Sequence, residues 1–225
     1  MNSTTVSLFR KTLHAKSGLA TLEATQLKNF LFALLVCFAP VVVAAAPLKV
    51  VNVNAPAINC VFNTPCTIAV NDTTDNIRMS TGGIGILKSR TFKGLPGSPA
   101  DRLFAFEYLL DLRNAVGATA VSCIDWMKID FGEVASLDFN GDSRPDQVFV
   151  VTGGGIGTVG IASAIQTASN IRFNFTSPIC GGSAPGKGDS SFFWGLASKQ
   201  PPELVTATLH ETSGATHVVK ARSPQ

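Results

Sequence analysis

The sequence predicts an all-β fold, a single-domain antiparallel β-sandwich of jelly-roll-like form, and three observations carry that expectation. Apolar residues recur with a period of two in several stretches. Turn-rich breaks such as Gly94-Leu-Pro-Gly97 and 181–188 separate them. No long stretch keeps a helical period, and many short strands between turns are the pattern of a sandwich.

The chain opens with what reads as a leader. Arg10, Lys11, Lys16 and Lys28 precede an almost wholly apolar run, Phe30 to Val43, and small residues Ala44 to Ala46 close it. This is the order of a secretory signal peptide, and cleavage is expected after Ala45, since Pro47 would hinder a cut after Ala46. The apolar run to Ala46 is 17 residues and is interrupted by Pro40, short for a retained span. The expected division is a signal peptide over 1–45 and one domain over 46–225, with no stable membrane span after cleavage and a secreted, extracellular or periplasmic location. The first 45 residues hold four basic groups and one acidic group. The other 14 of the 18 basic groups therefore face 14 of the 15 acidic ones, and the domain is neutral. Nothing in that balance points to a nucleic-acid partner.

Strands are expected at Leu48–Val53, Cys66–Val70, Gly83–Ser89, Leu103–Leu112, Val121–Phe131, Gln147–Thr152 and Ser191–Ala197, and around Ile171–Phe175 and Val205–Leu209. In Leu103–Leu112, Phe104, Phe106, Tyr108, Leu110 and Leu112 face one way, and Glu107 and Asp111 stand on the other flank as a solvated pair. Ile161 to Ala168 fits a short helix and a strand equally. Four cysteines follow the leader, Cys60, Cys66, Cys123 and Cys180. In an exported chain an even number favours two disulfides, with three connectivities open. The preferred pairing is Cys60–Cys66, a local loop over Asn63-Thr-Pro65, with Cys123–Cys180 joining two distant strands.

One stretch carries the chemistry of a cation site. Asp138, Asn140, Asp142, Arg144 (through its carbonyl) and Asp146 fall at positions 1, 3, 5, 7 and 9 of a loop with Gly141 at the bend. Alternating oxygen donors of this kind can wrap a hard divalent cation, which takes six to eight oxygens. Position 12 is Phe149, so the bidentate carboxylate of an EF-hand is missing and Asp130, Glu133 or another loop would have to complete the shell. The string D-x-N-G-D-x-x-P-D before an apolar strand resembles the calcium loops of FG-GAP-type and thrombospondin type-3 repeats. That resemblance spans about a dozen residues, occurs once, and implies structural calcium on Asp138, Asn140, Asp142 and Asp146. The chain as a whole also resembles exported β-sandwich proteins that bacteria sort to the envelope.

Other motifs are weaker. Gly155-Ile-Gly157-Thr-Val-Gly160 after a strand matches a dinucleotide fingerprint. It lacks the acidic residue further on and any strand–helix alternation, so a glycine-rich turn is expected. His210 and His217 show neither a G-x-S-x-G elbow nor zincin spacing and are expected on a strand's polar face. Trp126, Trp194, Phe192, Phe193 and Tyr108 fit a sandwich core better than a sugar-stacking platform. The expected function is a non-catalytic module with a structural calcium loop, binding a glycan or protein at the cell surface or in the matrix. The alternatives are a carbohydrate-active or other hydrolytic enzyme on the same scaffold, or a purely structural envelope protein that associates through a strand edge.

Overall fold

The computed structural model describes residues 44–225, so the leader expected over 1–45 lies, up to residue 43, outside the described residues. Twelve strands follow in chain order: β1 (Ala46–Leu48), β2 (Val50–Asn54), β3 (Asn71–Arg78), β4 (Ile84–Lys93), β5 (Phe104–Asp111), β6 (Cys123–Asp130), β7 (Val148–Gly153), β8 (Ile161–Thr167), β9 (Asn170–Cys180), β10 (Trp194–Ser198), β11 (Pro202–Glu211) and β12 (Thr216–Pro224). One helix, α1 (Ala55–Phe62), lies between β2 and β3. The strands form two six-stranded sheets, β1-β8-β9-β6-β11-β12 and β2-β7-β10-β5-β4-β3. The β2–β7 ladder is parallel, and the β5–β10 and β6–β9 ladders in the middle of the sheets are antiparallel. The expected β-sandwich is the architecture observed.

The main core lies between the sheets. Phe106, Tyr108, Leu110, Val148, Val150, Trp194 and Leu196 come from one sheet. Met127, Ile129, Ile171, Phe173, Ala207 and Leu209 come from the other. A second core covers the opposite face of the β2-to-β3 sheet, where Val53, Ala105, Leu109, Phe149, Val151 and Phe193 meet Ile58, Val61 and Phe62 of α1 and Phe139 of a later loop. Phe62 packs edge-on to Phe92 at 4.9 Å, and Phe139 tilts onto Phe149 at the same distance. This double cover explains the unbroken apolar run of β7. Neighbouring residues point to opposite faces of a strand, and here both faces are dry. It also corrects the expected solvated flank of β5: Ala105, Glu107 and Leu109 are buried.

Two local expectations are revised, and one choice left open between helix and strand is decided. Residues 66–70 form no strand; the ladder starts at Asn71 and runs through the polar stretch Asn71–Arg78. An edge strand with solvent on one side has no need of apolar alternation, so this one left no periodic signal. Residues 55–62 form α1, with Asn54 extended at its start and proline in the first turn, where the missing N–H costs nothing. At eight residues it is too short to show a period. Ile161–Thr167 is the strand β8.

Both disulfides have the expected pairing. Cys60–Cys66 ties the last turn of α1 to the loop after it. Cys123–Cys180 links residues 57 apart that sit opposite one another on adjacent strands β6 and β9. The sheets are also joined at one edge. The Lys220 N–H of β12 donates to Asp75 Oδ2 at 2.7 Å, and the Arg222 N–H donates to Ser89 Oγ at 3.0 Å. Side chains of β3 and β4 thus take backbone donors that an open edge would offer to another chain.

Candidate functional site

The loop 137–146 is closed by a two-way backbone bridge, Leu137 N–H to Asp146 O at 3.0 Å and Asp146 N–H to Leu137 O at 2.7 Å. Inside it the acids accept backbone N–H groups. Asp138 Oδ1 takes Gly141 N–H (2.7 Å) and Asp142 N–H (3.0 Å), and its Oδ2 takes Ser143 N–H (2.8 Å). Asp142 Oδ1 accepts from Arg144 N–H at 2.9 Å, and Asn140 Oδ1 accepts from Asp142 N–H at 3.1 Å. Gly141 has φ +79°, a left-handed bend that a side chain would strain. Phe139, between these acids, inserts into the second core and pins the loop to the sandwich.

Asp138, Asp142 and Asp146 bring one oxygen each to within 4.8 Å of one another. Asp130 and Glu133, offered above as completing ligands, do not join that group among the described residues. Arg144 enters it only through its backbone. Asp146 is fully buried: its Oδ2 accepts Phe139 N–H at 3.2 Å, and its Oδ1 lies 2.7 Å from Lys49 Nζ. The same ammonium is 3.8 Å from Asp142 Oδ2. Its hydrogen bond to Asp146 raises the Lys49 pKa. Partial desolvation pushes the Asp142 carboxyl up, but the Asn140 amide, the Arg144 N–H and the Lys49 charge together hold it below its ordinary value. Lys49 was not foreseen. It sits at the crossover between β1 and β2, 97 residues in sequence from Asp146, and nothing local marks it. The donor set is all oxygen, with one buried carboxylate oxygen whose near neighbour is the partly exposed Lys49 ammonium. Such a set could hold a hard cation in place of Lys49.

A second candidate site has no counterpart among the sequence motifs. Across the α1-covered sheet, strand register aligns Asp72, Arg90, Glu107, Gly195 and Phe149 in one row. Gly195 permits this: a Cβ there would come within 2.5 Å of Phe149 and 3.0 Å of the Glu107 side chain. Arg90 donates from Nε to Asp72 Oδ1 at 3.1 Å and from Nη2 to Asp72 Oδ2 at 3.4 Å, and its guanidinium lies 4.1 Å over the Phe193 ring. Glu107 is 4% exposed, and its nearest cation is Arg90 Nη1 at 3.7 Å. Burial pushes its carboxyl up to about 7, only partly offset by Arg90. Arg90 and Glu107 of this row, with Phe193, line a cavity of about 310 Å³ whose other walls are α1, Val151 of β7, residues 154–156 and residues 68–70. Gly155, from the glycine string, is part of that wall. The string leads into the strand β8, so it is a crossover turn, not the start of a helix that would hold a pyrophosphate.

The histidines and aromatics are placed differently from one another. His217 Nε2 lies 2.7 Å from Oε1 of the buried Glu211, which also accepts Ser80 N–H at 2.8 Å, the Ser80 hydroxyl, and Ser213 Oγ at 3.0 Å. Burial pushes Glu211 up, yet these donors outweigh it and hold it at about 2. The serines here bond to the carboxylate and not to the imidazole, which is a tie between the β11–β12 hairpin and the β3–β4 turn, without an activated hydroxyl. His210 sits on the outer face of the other sheet, its Nδ1 2.7 Å from Asp125 Oδ1 and its ring stacked 4.8 Å from Trp126. The Arg172 guanidinium lies 4.5 Å from the same indole. Tyr108, Phe193 and Trp194 are buried, as expected for core aromatics, whereas Trp126, expected in the core as well, is half-buried on the outer face against His210. No protein-family model, curated protein or solved structure matches the chain.

Proposed function

We propose that this chain is an exported, disulfide-stabilised β-sandwich module that works by binding a glycan or protein outside the cell, with the Asp138–Asp146 loop as a structural calcium site. The observation that carries the calcium reading is the gathering of three carboxylates within 4.8 Å on a loop pinned by Phe139. Calcium would neutralise Asp138, Asp142 and Asp146 in place of Lys49, fixing the loop that leads into β7. Asn140 and the Arg144 carbonyl are the remaining oxygens at hand. The two disulfides support export, because such bonds persist in oxidising compartments. Among the described residues no helix is long and apolar enough to cross a membrane.

The test is thermal unfolding of the purified protein with calcium and with chelator. A ligand that binds only the native state raises the melting temperature by mass action. Calcium should raise it, Asp142→Ala should abolish the rise, and Lys49→Met should enlarge it by removing the competing ammonium. Identical melting with calcium and chelator in all three proteins would reduce the loop to a Lys49-neutralised turn. The hydrolase alternative has one specific feature in its favour, the poised Glu107 in its cavity. A glycosidase uses two carboxylates flanking the bond, and Glu107 is the one acid lining this cavity, which favours binding.

A further inference from the structure

We propose that the cavity beneath α1 is a binding site for a small apolar molecule that carries an amino group, the ammonium bonding to Glu107 and the apolar body resting on Ile58, Ile68, Val70, Val151, Ile156 and Phe193. The site is independent of the calcium loop. Its volume, about 310 Å³, is at the lower end of small-molecule pockets, which bury most of a ligand against apolar walls with few polar groups. Val70 and Ile156, at its rim, are 42% and 50% exposed, apolar surface that a seated ligand would cover.

The polar demand of the cavity is specific. Glu107 is buried and receives no hydrogen bond from the described residues; burial and two neighbouring charges account for its state. Its carboxylate opens to the cavity, so the donors that the protein does not supply must come from what fills that space, water or a ligand. The one cation facing it, Arg90, is held in a fork by Asp72 on its far side and stays 3.7 Å away. Asp72, Arg90 and Glu107 are the charged groups of this row, and α1, β7 and residues 154–156 bring none to the cavity. What is missing is a donor with positive charge. A carboxylate ligand would meet Glu107 as a like charge, with Arg90 already engaged. A neutral alcohol would offer a hydrogen bond without charge.

The experiment is a methyl-detected NMR titration of the purified protein with benzylamine, benzyl alcohol and benzoate, which share a ring and differ in the head group. Benzylamine should shift methyl signals of Ile58, Val70 and Ile156 and bind about tenfold tighter than the alcohol, the worth of one charge-assisted hydrogen bond. Benzoate should bind least. Glu107→Gln should abolish the preference for the amine while leaving alcohol binding intact. Should that variant fail to fold, the wild-type protein still decides. A proton competes with the ammonium for Glu107, so the amine-to-alcohol preference should fall about tenfold from pH 8 to pH 6. Equal binding of the three probes, a preference for benzoate, a preference that does not change with pH, or shifts confined to other surfaces would overturn the proposal.

Discussion

Glu107 and Glu211 are buried glutamates whose surroundings push them in opposite directions, and the difference lies in their donors. Glu107 has none, so desolvation dominates and its carboxyl titrates near 7, against 4.5 for the free side chain. The folded chain therefore binds this proton more tightly than the unfolded one, and stability from this group is full below about pH 4.5 and drains away as pH rises to about 7. Replacing it with neutral glutamine should raise stability at pH 8, by up to about 3 kcal/mol, with little effect at pH 4. Denaturant melts of both proteins at the two pH values read this directly; a loss of stability at pH 8 would refute it. Glu211 is the reverse case. Its donors hold it at about 2, so its contribution is full above about 4.5 and disappears as pH falls towards 2. Glu211→Gln should cost about 2 kcal/mol at pH 7, where charged hydrogen bonds to Ser80, Ser213 and His217 are lost. The gap from wild type should close on acidification, and a gap unchanged from pH 7 to pH 2 would contradict the account.

At the level of elements, the two disulfides hold very different lengths of chain. Cys123–Cys180 spans 57 residues and Cys60–Cys66 spans 6. If each acts by restricting the unfolded chain, replacing the first pair with serine should cost about 4 kcal/mol and the second about 2 kcal/mol. Chemical unfolding of the two double variants measures both, and a larger loss at the short loop would show that α1 is held by its disulfide more than by packing. The acidic loop depends on Phe139 in the same way that α1 depends on Phe62. Each sends a ring into the second core, where the rings stack 6.3 Å apart. Phe139→Ala should cost about 3 to 4 kcal/mol and weaken any calcium response together with it, since the acids on either side would lose their anchor. A variant that melts like wild type would separate the loop from the core.

Over residues 44–225 as a whole, the sandwich buries one sheet on both faces, and both candidate sites belong to that sheet's outer cover. The main core needs only two facing sheets. The second core exists because α1 and the 137–146 loop lie over β7, β10 and β5, and the gap between α1 and the 154–156 turn is the cavity. The candidate sites of this chain are therefore on the covering segments, while the inter-sheet core supplies a base for them. The opposite sheet keeps a polar outer face, with Trp126 stacked against His210 and close to Arg172, rather than offering a free aromatic surface.

How much of this could be read from the residues follows from the range of the interactions. Period-two alternation, turn residues and an even cysteine count are local or compositional, and they determined the all-β fold, most of the strands and the four cysteines that pair. The spacing of Asp138, Asn140, Asp142 and Asp146 is local too, because one loop supplies every one of them, and the structure does draw the three carboxylates together. The strand β3 and the helix α1 escaped because a polar edge and an eight-residue segment carry no period. Lys49 against Asp146, Glu211 beneath Ser80, and Glu107 in register with Arg90 and Gly195 are long-range meetings. Strand pairing and sheet crossing set those, and a carboxylate's state depends on what the fold places beside it. Sequence determined which groups this protein has to work with; only the tertiary structure decided which of them are dry and which are paired, because burial and pairing are set by residues far apart in the chain.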